Sequence, residues 1–248
     1  VNQLGTRLGA VSVTLDVWHR DIYDFLELQT ESGDIRAKAF DVFPAISVPD
    51  LFMKRVEEDG DWTLFDPYQV GKKYGKSLED HFDKEFEDFY AILEADATLD
   101  MKKTVKAKDL FKTFLKTTVE TGMPYVFYRD TVNRVNPNKH CGNIYSTRVC
   151  TEICQSSAPA KFTEETIENG QIVIRYEPGE TVTCNISSIN VAKVYEEKEI
   201  EKALAILSRI LDNIITLSKF PIKAAELTAY KYRAIGIGYL GLAEYLAT

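Results

Sequence analysis

The stretch Ser146–Cys154, STRVCTEIC, sets two thiols, a guanidinium and a carboxylate within nine residues. Those types at that spacing admit several chemistries. A thiol becomes nucleophilic or redox-active when nearby charges tune it. It can also be an inert small hydrophobe in a core. His140, Cys141, Cys150 and Cys154 are a candidate zinc set. Only Cys150 and Cys154 are a close pair, however, and adjacent His140 and Cys141 make awkward co-ligands. If the stretch is extended, side chains alternate, so Arg148, Cys150 and Glu152 share one face. A cation and a carboxylate flanking Cys150 favour a reactive thiol over a buried one.

Three weaker motifs accompany it. GIGYLG places Gly236, Gly238 and Gly241 in a G-x-G-x-x-G spacing. The acidic residue that completes a dinucleotide fingerprint about 20 residues on is not within the sequence, so glycines easing a strand-to-helix turn are the expectation. Asn185 opens an Asn-Ile-Ser sequon, which matters only in a secreted chain. His19 and His81 stand alone, and His19 beside Trp18 reads as structural.

The elements that must position these groups follow from periodicity. AVSVTLDV (10–17) alternates as a strand, and HRDIYDFLELQ (19–29) carries Ile22, Phe25, Leu26 and Leu28 at helical spacing. TESGD is a turn, VFPAISV (42–48) a strand, and Pro49 opens a helix over PDLFMKRVEE. Residues 60–76 read as loop, 78–95 and 104–119 as acidic amphipathic helices, and MPYVFYRD (123–130) as strand. Residues 131–143 read as loop, while IYSTRVCTEI and GETVTCNISSINVA read as extended. Ile200, Leu204, Leu207, Leu211 and Ile214 mark a helix over 197–217. YRAIGIGYLGLAEYL reads as strand, then helix. Strands alternating with helices imply a parallel α/β sheet or barrel.

The totals bound the function. The sequence has 248 residues, 45% hydrophobic, with net charge −8. That is enough chain for a sizeable core, and the negative charge argues against bulk attraction to nucleic acid or anionic membrane. No apolar run is long enough to span a bilayer, and no signal peptide opens the chain. The four cysteines, Cys141, Cys150, Cys154 and Cys184, are too few for a secreted disulfide scaffold. A reducing, cytoplasmic setting is expected.

Eight segments in this order carry a resemblance: NQLGTRLGA, DVWHRDIYDFLEL, VPDLFMKRV, WTLFDP, TGMPYVFYRDTVNR, STRVCTEI, VTCNISSINVA and YRAIGIGYLGLAEYLA. Together they resemble the large, catalytic subunit of class I ribonucleotide reductase along the whole sequence. The resemblance implies the central part of a ten-stranded α/β barrel, incomplete at both ends over 1–248, with a finger loop in the barrel centre. It implies that Cys150 becomes the thiyl radical that takes the 3′ hydrogen of the substrate ribose. Glu152 would accept the 3′-hydroxyl proton as general base. Cys184 would be one of two cysteines that reduce the substrate and end as a disulfide, its partner lying upstream in the family. Gln3 and Arg7 would belong to the loop that relays effector identity to the substrate base. Cys141 and Cys154 match no family role and are expected in the core.

Two positions depart from the pattern. Arg148 stands where the family usually has an amide; a cation there can bind a substrate oxygen or favour a thiolate but cannot accept a hydrogen bond. Leu4 replaces a usual loop glycine. The family's upstream regulatory segments, and its downstream phosphate loop, radical-relay tyrosines and cysteine tail, are not in this sequence. The implied partners are a metal-containing, radical-generating small subunit, thioredoxin or glutaredoxin, a nucleoside diphosphate substrate, ATP or dNTP effectors, and a second copy of the full-length subunit. No metal or cofactor is expected on this chain itself. A cobalamin-dependent reductase, with adenosylcobalamin as radical source, is the alternative enzyme. An inactive barrel piece serving binding or assembly is the alternative of another class.

Overall fold

The computed structural model describes residues 5–6, 8–149, 151–194 and 197–247. They form two compact units, 1–156 and 157–248. In the first unit the strands are β1 (Val11–Asp16), β2 (Val42–Val48), β3 (Asp61–Leu64), β4 (Lys103–Lys106) and β5 (Tyr125–Tyr128). The helices are α1 (Ile22–Leu26), α2 (Asp50–Glu57), α3 (Pro67–Tyr74), α4 (Asp83–Ala95), α5 (Ala107–Thr121) and α6 (Arg129–Val135). β2 is flanked by β1 and β5, all parallel, with Val11 opposite Val42 and Ala45 opposite Tyr125. β3 and β4 form a separate antiparallel pair.

Parallel strands are usually covered by helices and read as apolar runs; Ala45, Ile46 and Val48 of β2 are buried accordingly. The core between sheet and helices is aromatic. Trp62 stacks on Tyr90 with ring centroids 4.5 Å apart, and Phe52 meets Trp62 edge-on at 5.1 Å. Such geometries add about 0.5–1.5 kcal/mol per pair beyond area burial. The Tyr90 hydroxyl donates to Thr63 O at 2.8 Å and accepts from Thr63 N at 2.7 Å, so both backbone polar groups of that β3 residue are satisfied inside the core.

Asp130 joins the elements behind the sheet. Its two carboxylate oxygens accept from Asp50 N (2.7 Å) and Asp83 N (3.0 Å), the first residues of α2 and α4. One carboxylate thereby satisfies amides at two helix N-termini, where negative charge is favourable. Its neighbour Arg129 is buried, bonds Asp16 Oδ1 at 2.9 Å, and donates to the carbonyls of Glu79 and His81 at 2.6 and 2.7 Å.

The second unit contains the antiparallel hairpin β6 (Lys161–Glu168) and β7 (Gln171–Glu177), then β8 (Ile186–Asn190), α7 (Glu197–Leu217), α8 (Lys223–Tyr232), β9 (Gly236–Leu240) and α9 (Leu242–Ala247). β8 and β9 pair in parallel, Ile186 opposite Gly236.

The sequence expectations need several corrections. Residues 60–76 are not loop. They hold β3 and α3, the latter started by the Asp66 carboxylate accepting from Gln69 N (2.7 Å), with Pro67 in its first turn, and ended by Gly75 at φ +63°. The 104–119 helix begins only at Ala107, because Lys103–Lys106 pairs with β3. Residues 129–135 are helix α6 rather than strand end and loop. In 179–192 only 186–190 is strand. The hairpin of β6 and β7 turns at Asn169 and Gly170, both at positive φ, the Asn-Gly signature of tight hairpins. On α7 the buried residues are Leu211 and Ile215 rather than Ile214, which is 45% exposed. Mixed α/β architecture with parallel pairing is present, but among the described residues the strands do not close into a barrel; they form open sheets.

Candidate functional site

The chain approaches the Ser146–Cys154 motif along an anchored path. α6 presents Asn133, 2% exposed, toward the returning segment. Its amide oxygen accepts from Ile144 N at 2.9 Å and its amide nitrogen donates to Ile144 O at 3.0 Å, gripping one buried residue by both backbone groups. Asn136 stabilises the intervening turn by accepting from Asn138 N at 2.9 Å. Beyond Ile144, the Tyr145 hydroxyl donates to Asp80 Oδ1 (3.0 Å), and Asn143 Nδ2 donates to Asp80 O (3.1 Å). Burial, followed by the bond to Asp80, raises the Tyr145 phenol above its usual range. The turn at Leu78–Asp80 is itself held by Arg129, so the motif is linked through backbone carbonyls to the ends of β1 and β5.

The motif itself is not extended. Thr151 N donates to Arg148 O (2.9 Å) and Arg148 N to Ile153 O (3.3 Å), closing a tight turn. Thr151 lies at φ +65°, an uncommon region for a β-branched residue. The alternation that would put Arg148 and Glu152 on one strand face therefore does not apply. Instead the turn brings them to its two ends, both exposed. Cys150 lies outside the described residues, as do Gln3 and Arg7 of the expected effector loop. Cys154 is half-buried, and its thiol donates to Thr151 O at 3.5 Å. Burial first, then the charge of Glu152, pushes that thiol up from its ordinary value.

In the second unit Cys184 is exposed, two residues before β8. Asn185 turns the other way. Its side chain donates to Leu211 O of α7 at 2.9 Å, and its carbonyl accepts from Gly236 N at 3.0 Å. The sequon amide is thus a structural clamp.

The remaining motifs resolve into architecture. A Cβ on Gly236 would lie 2.8 Å from Ile186 Cγ2, and one on Gly238 3.0 Å from Ser188 Oγ. Gly241 adopts φ +75° between β9 and α9. Gly241 eases a strand-to-helix turn, as expected, and Gly236 and Gly238 also permit close strand pairing. His19 Nδ1 accepts from Asp21 N at 3.1 Å, a local structural role. Cys141 is exposed and Cys154 only half-buried, so neither is the core residue expected, and among the described residues His140, Cys141 and Cys154 do not gather into a ligand group. The acidic group that does, Asp50, Asp83 and Asp130, is occupied by protein: Arg134 pairs with Asp50 and Asp83, and the Asp130 oxygens hold the two helix amides. Sequence reasoning missed Asn133, Tyr145 and Asp80. Nothing local marks them, since their partners lie 11 and 65 residues away.

The family model for the ribonucleotide reductase barrel domain matches residues 1–248. The chain belongs to that family. It is 42% identical over 249 residues to the ribonucleoside-diphosphate reductase subunit alpha of Synechocystis, covering all of this chain and 30% of that protein. It is 38% identical over 284 residues to the Helicobacter pylori subunit alpha, covering all of this chain and 35% of that protein. The large subunit of Caenorhabditis elegans is 33% identical over 244 residues, 96% of this chain and 28% of that protein. The chain therefore spans about a third of the length of these relatives. In this ribonucleotide reductase barrel domain the Arg148–Glu152 turn lies in the first unit and Cys184 in the second. Among the described residues, no helix is long and apolar enough to cross a membrane.

Proposed function

We propose that this domain is the catalytic centre of a ribonucleoside-diphosphate reductase large subunit, its sheets forming the middle of the family's ten-stranded barrel and the turn at 148–152 its finger loop. The observation that carries the reading is the match to the barrel-domain family across 1–248, together with a tight, multiply anchored turn where the family motif falls. The names of the relatives favour a nucleoside diphosphate substrate.

In this reading the Cys150 sulfur, as a radical, takes the hydrogen from the substrate C3′, and Glu152 accepts the 3′-hydroxyl proton. A carboxylate suits that step because its two oxygens can accept a hydrogen bond from the hydroxyl and then its proton. Cys184 and a second thiol of the complete subunit then supply two hydrogens, ending as a disulfide. Arg148, exposed at the head of the turn, replaces an amide and would offer donors only, serving to bind a substrate oxygen. Gln3 and Arg7 belong to the effector-specificity loop. The radical originates in a metal-containing small subunit, thioredoxin or glutaredoxin restores the dithiol, ATP or dNTP effectors set specificity, and the complete subunit works as a homodimer in the cytoplasm.

The test uses the complete subunit with its small subunit, a dithiol reductant and a nucleoside diphosphate. Cys150→Ser is expected to abolish deoxynucleotide formation while nucleotide binding by equilibrium dialysis stays within about twofold. The serine O–H bond is too strong for the side chain to be oxidised to the needed radical at an accessible potential, whereas uniform binding contacts are untouched. Turnover surviving in that variant would end the radical assignment.

A further inference from the structure

The span leading to Cys184 is fixed on both sides. Before it, Thr181 N donates to Thr228 Oγ1 of α8 at 3.0 Å. Thr228 is 4% exposed, and its hydroxyl donates in turn to Ala224 O at 2.8 Å, so one hydroxyl both accepts from the span and is locked to its own helix. After it, Asn185 Nδ2 reaches Leu211 O of α7, and Asn185 O receives Gly236 N of β9. Leu211 is 2% exposed. Residues 184, 186 and 188 are exposed, while 185, 187 and 189 are half-buried or buried. The alternation directs Asn185 to the helix and leaves Cys184 on the open face. Only Val182 and Thr183 stand between the first anchor and the thiol. A side chain held this way loses little orientational freedom when it reacts.

We propose that Thr228 and Asn185 are positioning residues for the Cys184 thiol in the reducing step. The inference rests on the reading of Cys184 as one of the reducing pair. In that step Cys184 and a second thiol of the complete subunit each give up one hydrogen, and one S–S bond forms. The substrate 2′ C–O bond breaks, one hydrogen ends on carbon, and the other leaves with the oxygen as water. The substrate is the oxidant, and two electrons and two protons are accounted for. Forming an S–S bond demands sulfur atoms within a narrow range of separation and torsion. A loosened 181–185 span therefore lowers the fraction of productive encounters without altering nucleotide contacts. Neither residue touches the substrate in this account; each acts through the backbone of the cysteine.

The experiment compares Thr228→Val, Thr228→Ser and Asn185→Asp in the complete subunit, with Cys184→Ser as reference, by steady-state reduction of a nucleoside diphosphate per folded subunit. Valine keeps the shape of threonine and removes the acceptor; serine keeps the acceptor; aspartate keeps the shape of asparagine and removes the donor. Thr228→Val and Asn185→Asp are expected to lower kcat roughly tenfold at unchanged KM, within the loss that small misplacements cause, and Thr228→Ser to stay within about twofold of the parent. If Thr228→Val does not fold, Asn185→Asp decides alone. Unchanged kcat in the deficient variants, or a loss of kcat matched by a rise in KM, overturns the positioning role. Turnover retained by Cys184→Ser overturns the reading beneath it instead.

Discussion

Asn133→Leu should release the segment that carries the Arg148–Glu152 turn. Leucine keeps the branched heavy-atom skeleton of asparagine, is somewhat bulkier and removes both polar atoms, so the effect is one of hydrogen bonding rather than of a cavity. The wild-type amide makes bonds of 2.9 and 3.0 Å to the backbone of Ile144, a residue 3% exposed. Without them, the amide and carbonyl of Ile144 are buried with no water to replace the partner. Each such group costs about 1–3 kcal/mol. The third bond, Asn133 Nδ2 to Arg129 O at 2.9 Å, costs little when lost, because that carbonyl lies in helix α6. The apolar gain from burying leucine offsets part of the loss, leaving a net destabilisation of about 3 kcal/mol. For a unit of this size that lowers Tm by roughly 6–12 °C. The effect should also be local: the Ile144 amide should exchange with solvent at least about tenfold faster than in the parent, while amides of β2 keep their protection. Thermal unfolding followed by near-ultraviolet circular dichroism, with hydrogen exchange read by mass spectrometry, measures both. A Tm within about 1 °C of the parent and unchanged exchange at Ile144 would refute the clamp.

Tyr90→Phe should destabilise the first unit by about 2–4 kcal/mol, since it strands Thr63 N and O in the core. Burial first, then the charge of Glu94, holds the Tyr90 phenol well above its usual 10.0. With the folded pKa raised, the contribution of Tyr90 is complete below pH 10 and fades above it as the unfolded chain ionises. The parent should lose stability faster than Tyr90→Phe between pH 10 and 11 in denaturant titrations, and parallel pH profiles would contradict this. Cys154 should react with iodoacetamide at pH 8 several-fold more slowly than exposed Cys141 and Cys184, because its thiol is pushed up by burial and by Glu152 and the thiolate is the nucleophile. Glu152→Gln should narrow that gap, as read by mass spectrometry of the labelled peptides; an unchanged gap would show that Glu152 does not act on this thiol.

The sequence by itself determined the elements whose signals are local. The alternation of AVSVTLDV, the apolar run VFPAISV and the heptad-like spacing around Leu207 and Leu211 were legible because a strand or helix face is written in a short window. The family was legible for a related reason: its motifs are contiguous, and STRVCTEI and VTCNISSINVA retain them with few departures. Only tertiary structure decided the conformation of the Ser146–Ile153 stretch. STRVCTEI alternates well enough to pass for a strand, yet among the described residues no neighbouring strand offers it a ladder, and Thr151 N and Arg148 N bond within the stretch while Asn133 and Asp80 hold its approach. The same holds for β3 and α3, concealed in a glycine- and aromatic-bearing segment whose order depends on Tyr90 and on Asp66. The roles of Asn185 and Thr228 are likewise invisible in sequence, because each acts on a partner 26 or 47 residues away. Residue types dictate which chemistry is available at Glu152 and Cys184. Where those groups are held is fixed by long-range hydrogen bonds to backbone atoms, which carry no trace in the identity of the residue that receives them.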